Sequence, residues 1–352
     1  MSENNRSFKL LDKFLHEMVE AHQIPGAVYA ILDKNGTLVE NAVGFSHKNK
    51  KIPMTMDTLF DLASLTKVCA TLPSIFLLIE KGRIDIDDPI KMFFPESVNG
   101  ELTLRDLLTH TSGFPPSFPF YQYRWTKEEI LNYILSINAE PGKHTVYSDL
   151  NFILLGLLVE KLTYQPLDVF TEESVYRPLG MTHTCFNPQT DLQYIAPTEW
   201  LPDANKFQWG EVHDENAHYM GGVSGHAGLF SNLHDLKIYV HMLMNEGKTE
   251  HGNYFISPAT LLASRKNYTK HLEYNRGLGW QLADDRYSPG GYYVSDQGYG
   301  HTGFTGTSFW IDPESDLGFI LLSNRVHISR QINMNRIRRI VNNLAMSELA
   351  KK

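Results

Sequence analysis

Thr58-Leu59-Phe60-Asp61, a strand-like stretch, leads through Leu62-Ala63 into Ser64-Leu65-Thr66-Lys67, where a helix opens. Leu65, Val68, Leu72, Ile75, Phe76 and Ile79 recur at helical intervals beyond it, and Gly82 supplies the stop. Pro73 lies inside the pattern and predicts a kink, because it lacks an N–H and crowds the preceding turn. Positions three apart share a helix face, so the Lys67 amine can reach the Ser64 hydroxyl. Serine becomes a competent nucleophile when a neighbour takes its proton. A lysine does so when burial or nearby positive charge lowers its pKa. Ser64 also sits where the positive end of the helix dipole favours developing negative charge. This is the only Ser-x-x-Lys in the chain. The same four residues also read as an N-capping serine and a surface lysine.

Outward from this segment, strand signals lie towards both chain ends. Leu11, Phe14, Leu15 and Met18 form a helical stripe that Pro25-Gly26 stops. Ala27 to Leu32 and Thr37 to Phe45 read as strands joined through Asp33-Lys34-Asn35-Gly36, a hairpin signal because Asn-Gly tolerates positive φ. Ser308 to Ile311 and Leu317 to Ser323 flank a second turn, Asp312 to Asp316, and a last helix carries Ile337, Ile340, Val341 and Leu344. From about Leu104 to Met244 helical patterns and loops dominate. The expected fold is α+β: an antiparallel sheet flanked by helices, plus a mostly helical lobe. Residues 1–60 and 265–352 are assigned to the sheet lobe and 61–264 to the helical lobe, with a site in the crevice between them.

Composition narrows the function. The 352 residues carry a formal net charge of -8, which disfavours a nucleic-acid partner. The basic run Arg336, Arg338 and Arg339 reads as the solvated face of a helix. Two cysteines, Cys69 and Cys185, without a CxxC pattern, argue against structural disulfides and a thiolate zinc site. No apolar run reads as long enough to span a bilayer, and no secretory signal is visible, so the expectation is a cytoplasmic enzyme.

Two further segments carry possible chemistry. Tyr147-Ser148-Asp149 precedes the apolar run Phe152 to Val159; a phenol beside a lysine can relay a proton. Read structurally, it is a buried tyrosine followed by a capping aspartate. His301-Thr302-Gly303-Phe304 comes just before the late strands, where a glycine permits close approach and backbone N–H groups can act as donors.

In order and spacing, the three segments resemble the serine β-lactamase and penicillin-binding protein family, in the branch that holds class C β-lactamases, DD-peptidases and related esterases. The Ser-x-x-Lys signature belongs to that wider family. Leu107 to Gly113, Gly222 to Phe230, His301 to Asp312 and Ser323-Asn324-Arg325 resemble stretches common in the branch, so the likeness runs from about Ile24 to Arg325. It implies a β-lactamase/transpeptidase-like fold and Ser64 as the acylated nucleophile. Lys67 and Tyr147 would move the protons, and the N–H groups of Ser64 and Phe304 would form an oxyanion hole. Asp149, His301, Thr302, Gly303 and Phe304 would meet the substrate. No cofactor or metal is implied. The substrate would be a small ester, amide or D-amino-acid peptide, with β-lactams as possible acylating ligands.

Two residues depart from the pattern. Asp149 replaces an amide donor, often Asn, with a carboxylate. His301 stands where β-lactamases often have Lys, which leaves efficient β-lactamase activity the least supported of the family's reactions. A penicillin-binding or sensor module with little turnover is the main alternative, and a true β-lactamase the second. Two other readings are weaker. His213-Asp214-Glu215, His218 and His226 lack the spacing of a common zinc site. Gly222-Val223-Ser224-Gly225-His226 nearly matches a nucleophile elbow, but histidine replaces its last glycine.

Overall fold

Strand Gly26–Asp33 has two apolar faces, and each anchors a core. Alternate side chains of a strand point to opposite sides. Val28, Ala30 and Leu32 enter the larger core, while Ala27, Tyr29 and Ile31 face the smaller one. Fully burying each large apolar side chain contributes about 1.5–3 kcal/mol. A strand buried on both faces belongs inside a sheet. The computed structural model, which describes residues 8–284, 286 and 288–351, places it third of seven strands. The order is Ile52–Pro53, Gly36–His47, Gly26–Asp33, Leu317–Ser323, Ser308–Asp312, Tyr299–Thr302 and Gln281–Leu282. All neighbours are antiparallel. Strands from both chain ends thus share one sheet, the antiparallel α+β arrangement expected from the sequence.

Helices Lys9–Glu20 and Met334–Ala350 cover one sheet face through Leu11, Leu15, Ile337, Val341 and Ala345. Glu348 ties them together: its carboxylate accepts from the N–H groups of Leu10 and Leu11 at 3.1 Å each. This satisfies two open donors at the first helix's N-terminus.

The other face meets helix Leu233–Met244, which packs on strands Gly26–Asp33 and Leu317–Ser323. Although this helix falls within 61–264, Leu236, Val240 and Leu243 complete the larger core beside the sheet. The intervening chain is mainly helical, with Asp149–Thr163 at its centre, but it also holds two small sheets. Phe60–Asp61 and Cys185–Phe186 pair with Leu229–Ser231, and Trp200–Leu201 pairs with Lys206–Phe207. These strands are two or three residues long, too short for a periodic signal.

The helix that follows Ser64 changes type along its length. A 3₁₀ turn, Ala63–Leu65, gives way to a π turn, Lys67–Thr71, and then to α-helix Leu72–Glu80. Pro73 lies in the first turn of the α segment, where its missing N–H matters little, and the widened turn before it replaces the expected kink. By length and apolarity Ala63–Glu80 matches a bilayer span, contrary to the sequence expectation, yet 78% of it is buried inside the protein.

Candidate active site

Ser64 is presented by a strained elbow. Ala63, just before it, has φ +47°, a left-handed value unusual for a residue with a Cβ. Asp61 holds the elbow: Oδ1 accepts from Ala63 N at 2.8 Å and Oδ2 from His213 N at 2.6 Å. From the edge of the large sheet, Thr305 and Thr307 donate their hydroxyls to the carbonyls of Asp61 and Leu62, at 2.7 and 3.0 Å. A Cβ on Gly303 would lie 2.3 Å from the Leu62 oxygen and 2.1 Å from Thr307 Oγ1. Gly303 thus lets the sheet edge reach the elbow, a packing reason beyond the substrate approach suggested by sequence.

Lys67 is buried, with three acceptors around its Nζ: Ser64 Oγ at 3.0 Å, Asp149 Oδ1 at 2.7 Å and the His226 carbonyl at 3.2 Å. An ammonium has three N–H donors and no lone pair, so this set fits the charged form. Burial pulls the pKa of Lys67 down, but the Asp149 carboxylate and the neighbouring Tyr147 hydroxyl outweigh it, and the net shift is upward. The lowered lysine pKa anticipated for a resting base is not what this environment produces. Asp149, expected to face substrate, instead directs its carboxylate at Lys67 and does not line the cavity over Ser64.

Tyr147 lines that cavity, a space of about 410 Å³, together with Ser64, His301, Thr302, Gly303 and Phe304. Lys67 Nζ lies 4.9 Å from the centre of the Tyr147 ring. His110 packs on the ring's surroundings at 4.5 Å between centroids. Its Nδ1 accepts the Ser148 N–H at 3.1 Å, which anchors the backbone beside Tyr147. His301 Nδ1 lies 2.9 Å from the Thr302 carbonyl, so Nδ1 carries the proton and Nε2 is left as an acceptor. Burial, then Lys67 and Arg276, hold His301 well below its usual range. That favours the neutral imidazole, in contrast to the lysine often found here in the family the sequence resembles.

Among the described residues, the amides of Ser64 and Phe304 donate no hydrogen bond within the protein. Arg325 fixes the second of them, donating Nε to the Phe304 carbonyl at 2.9 Å while its guanidinium lies 4.5 Å from that ring's centre. Arg338 also lines the cavity and is buried, contrary to the solvated face expected of its helix. Its Nη2 donates to the carbonyls of Gly303 and Thr307 at 2.6 and 2.8 Å, and Nη1 donates to Asn335 Oδ1 at 2.7 Å. Arg276 is a third buried arginine there. Sequence reasoning missed Arg276 and Arg325 as cavity residues. The only available signal was position, before Gly277-Leu278-Gly279-Trp280 and at the end of Ser323-Asn324-Arg325.

The His-rich segment is absorbed into pairs. His226 Nε2 contacts Asp214 Oδ1 at 2.9 Å and its Nδ1 contacts Ser224 Oγ at 2.8 Å; His213 Nε2 contacts Glu199 at 3.1 Å. Ser224 is buried, with its hydroxyl held against His226 inside this Ser–His–Asp chain. Asp149, Asp214 and His226 come within 4.8 Å of one another, but the Lys67 ammonium already pairs with Asp149 there.

The Beta-lactamase family matches residues 11–342. A protein of Escherichia coli O157:H7, provisionally named a D-alanyl-D-alanine carboxypeptidase, is 36% identical over 359 residues, spanning 90% of this chain and 82% of that one. The N-acetylmuramyl-L-alanine amidase of Bacillus subtilis (strain 168) is 33% identical over 379 residues, covering 92% of this chain and 82% of that protein. The crystal structure of a β-lactamase from Sulfitobacter sp. EE-36 shares the fold, with a TM-score of 0.79, 19% identity and full coverage of both chains. A match along almost the whole chain, joined to the convergence of its three distant segments, makes this protein a member of the Beta-lactamase family and a serine hydrolase.

Proposed function

We propose that the protein hydrolyses a small amide or ester by acylating Ser64, and that a D-amino-acid or muramyl-alanyl peptide amide is its substrate class. The observation that carries the mechanism is the 3.0 Å contact between Lys67 Nζ and Ser64 Oγ, with Asp149 and the His226 carbonyl holding the other two lysine protons. The names of the curated relatives support the choice of amide.

Because Lys67 donates to Oγ, the Ser64 proton points away from it. Tyr147 then acts as the relay. As Oγ bonds to the substrate carbonyl carbon, the Tyr147 hydroxyl oxygen takes the Ser64 proton and in the same transfer passes its own proton to the leaving nitrogen or oxygen, whose bond to that carbon then breaks. The Lys67 ammonium steadies the charge that develops on Oγ, and the N–H groups of Ser64 and Phe304 receive the carbonyl oxygen. Water repeats the sequence in reverse on the acyl-enzyme: it loses its proton through Tyr147 while Ser64 regains one. A panel of D-alanyl-D-alanine peptides, muramyl-alanyl amides, short-chain esters and penicillin, scored by kcat/KM, tests this. Release of an amine product in amounts above one per enzyme is expected. A stable penicillin adduct with no turnover of any member would favour a sensor instead.

A further inference from the structure

Beyond Tyr147 a second cavity of about 630 Å³ adjoins the first, and Tyr147, Arg276, Gln281 and Asn335 line both. Arg276 stands out at this junction. It is 7% exposed, and its Nε and Nη1 are buried without a hydrogen-bond partner. No ion pair involves it among the described residues. Its guanidinium lies 5.5 Å from the centre of the Tyr147 ring. Its backbone is pinned, with the N–H donating to Thr269 Oγ1 at 2.8 Å and the carbonyl accepting from Tyr268 at 2.9 Å. Gln281 faces it across an isolated antiparallel bridge, and Gln281 Oε1 is likewise buried without a partner.

A buried guanidinium that lacks acceptors costs free energy, because its donors give up water for nothing. The neighbouring arginines are answered from within the chain: Arg338 by two carbonyls and Asn335, Arg325 by three carbonyls. Among the described residues, the first cavity is lined by three arginines and no carboxylate. The one carboxylate lining the second, again among the described residues, is Asp284, which pairs with Arg286 at 3.4 Å. Fork-shaped donors beside an amide acceptor complement a carboxylate next to an N–H.

We infer that Arg276 anchors a second binding site, beyond Tyr147, which takes a carboxylate borne by the substrate while Gln281 accepts from a neighbouring amide N–H. The inference rests on the acyl-enzyme reading for its placement and adds the substrate's charge. Two p-nitrophenyl esters of equal chain length test it, the mono-ester of glutarate and the ester of valerate. The readout is the ratio of their kcat/KM values. The parent protein favours the glutarate ester. Arg276→Gln lowers the ratio about tenfold or more, the order of a lost charged hydrogen bond, and Arg276→Lys restores part of it. A parent with no preference for the anion overturns the inference. So does an Arg276→Gln variant that slows both esters equally, which would assign Arg276 to Tyr147 instead. If neither ester is turned over, the acyl-enzyme reading is decided separately by the substrate panel, and calorimetric titration with glutarate decides this one. Binding that Arg276→Gln weakens supports it; equal binding, or none to the parent, overturns it.

Discussion

Asp149 Oδ1 and Lys67 Nζ stand 2.7 Å apart, and this contact sets the charge of the group that touches the nucleophile. Burial alone would favour a neutral amine, but Asp149 and Tyr147 reverse that and raise the pKa above the ordinary 10.5. A raised lysine pKa contributes stability that is complete below the unfolded value and is lost as pH climbs through the folded one. Asp149→Asn removes the opposing charge. Breaking a fully buried pair costs about 3–5 kcal/mol; because Asp149 is partly exposed, roughly 1–3 kcal/mol is expected in urea unfolding at neutral pH. The alkaline limb of kcat/KM should also move to lower pH. A variant with parental stability and an unmoved limb would contradict this account of Lys67.

Tyr147→Phe deletes the relay oxygen and keeps the ring that packs beside His110 at 4.5 Å. Stopped assays should show kcat reduced by about a hundredfold or more, the range for a positioned acid–base group. The thermal midpoint should hardly move. A kcat within a few-fold of the parent would remove Tyr147 from the proton path.

Gly303→Ala places a methyl against the Leu62 oxygen and Thr307 Oγ1. Relief requires the sheet edge to back away from the elbow, with a loss of about 1–3 kcal/mol as for other overpacked sites. Urea unfolding and kcat measured on the same preparation should fall together. Full stability with full activity would show that the edge and the elbow are not locked.

Acid should weaken the fold through two imidazoles. His110 and His301 are held well below 6.5, first by burial and then by the cations Arg276 and Lys67. For a histidine with a depressed folded pKa the unfolded chain binds more protons, so stability is complete above the unfolded value and falls as pH drops below it. Unfolding free energies measured on both sides of 6.5 should decrease towards acid, and His301→Gln should flatten part of that slope. A slope identical in the variant would exclude His301 as a contributor.

Much of the scaffold was legible because periodicity encodes it directly. The stripe Leu11, Phe14, Leu15 and Met18 became helix Lys9–Glu20, and Ala27 to Leu32 lies within strand Gly26–Asp33. Pro73 shows where local rules stop: they predict a kink, but the structure accommodates it with the preceding π turn. Ser64 and Lys67 were legible because three residues of helix bring them together; Asp149 lies 82 residues from Lys67, and nothing local says which way its carboxylate turns. The arginines were least legible. Arg338 sits among exposed-looking charges, and only the packing of its helix on the Gly303 and Thr307 carbonyls turns it inward.

The central claim, an acyl-enzyme on Ser64, is tested most directly by intact-protein and peptide mass spectrometry after brief mixing with penicillin and with a short-chain p-nitrophenyl ester. The account predicts one added acyl mass located on the peptide containing Ser64, and neither adduct nor turnover with Ser64→Ala. Label on another residue, or product formed by Ser64→Ala at the parental rate, would contradict it.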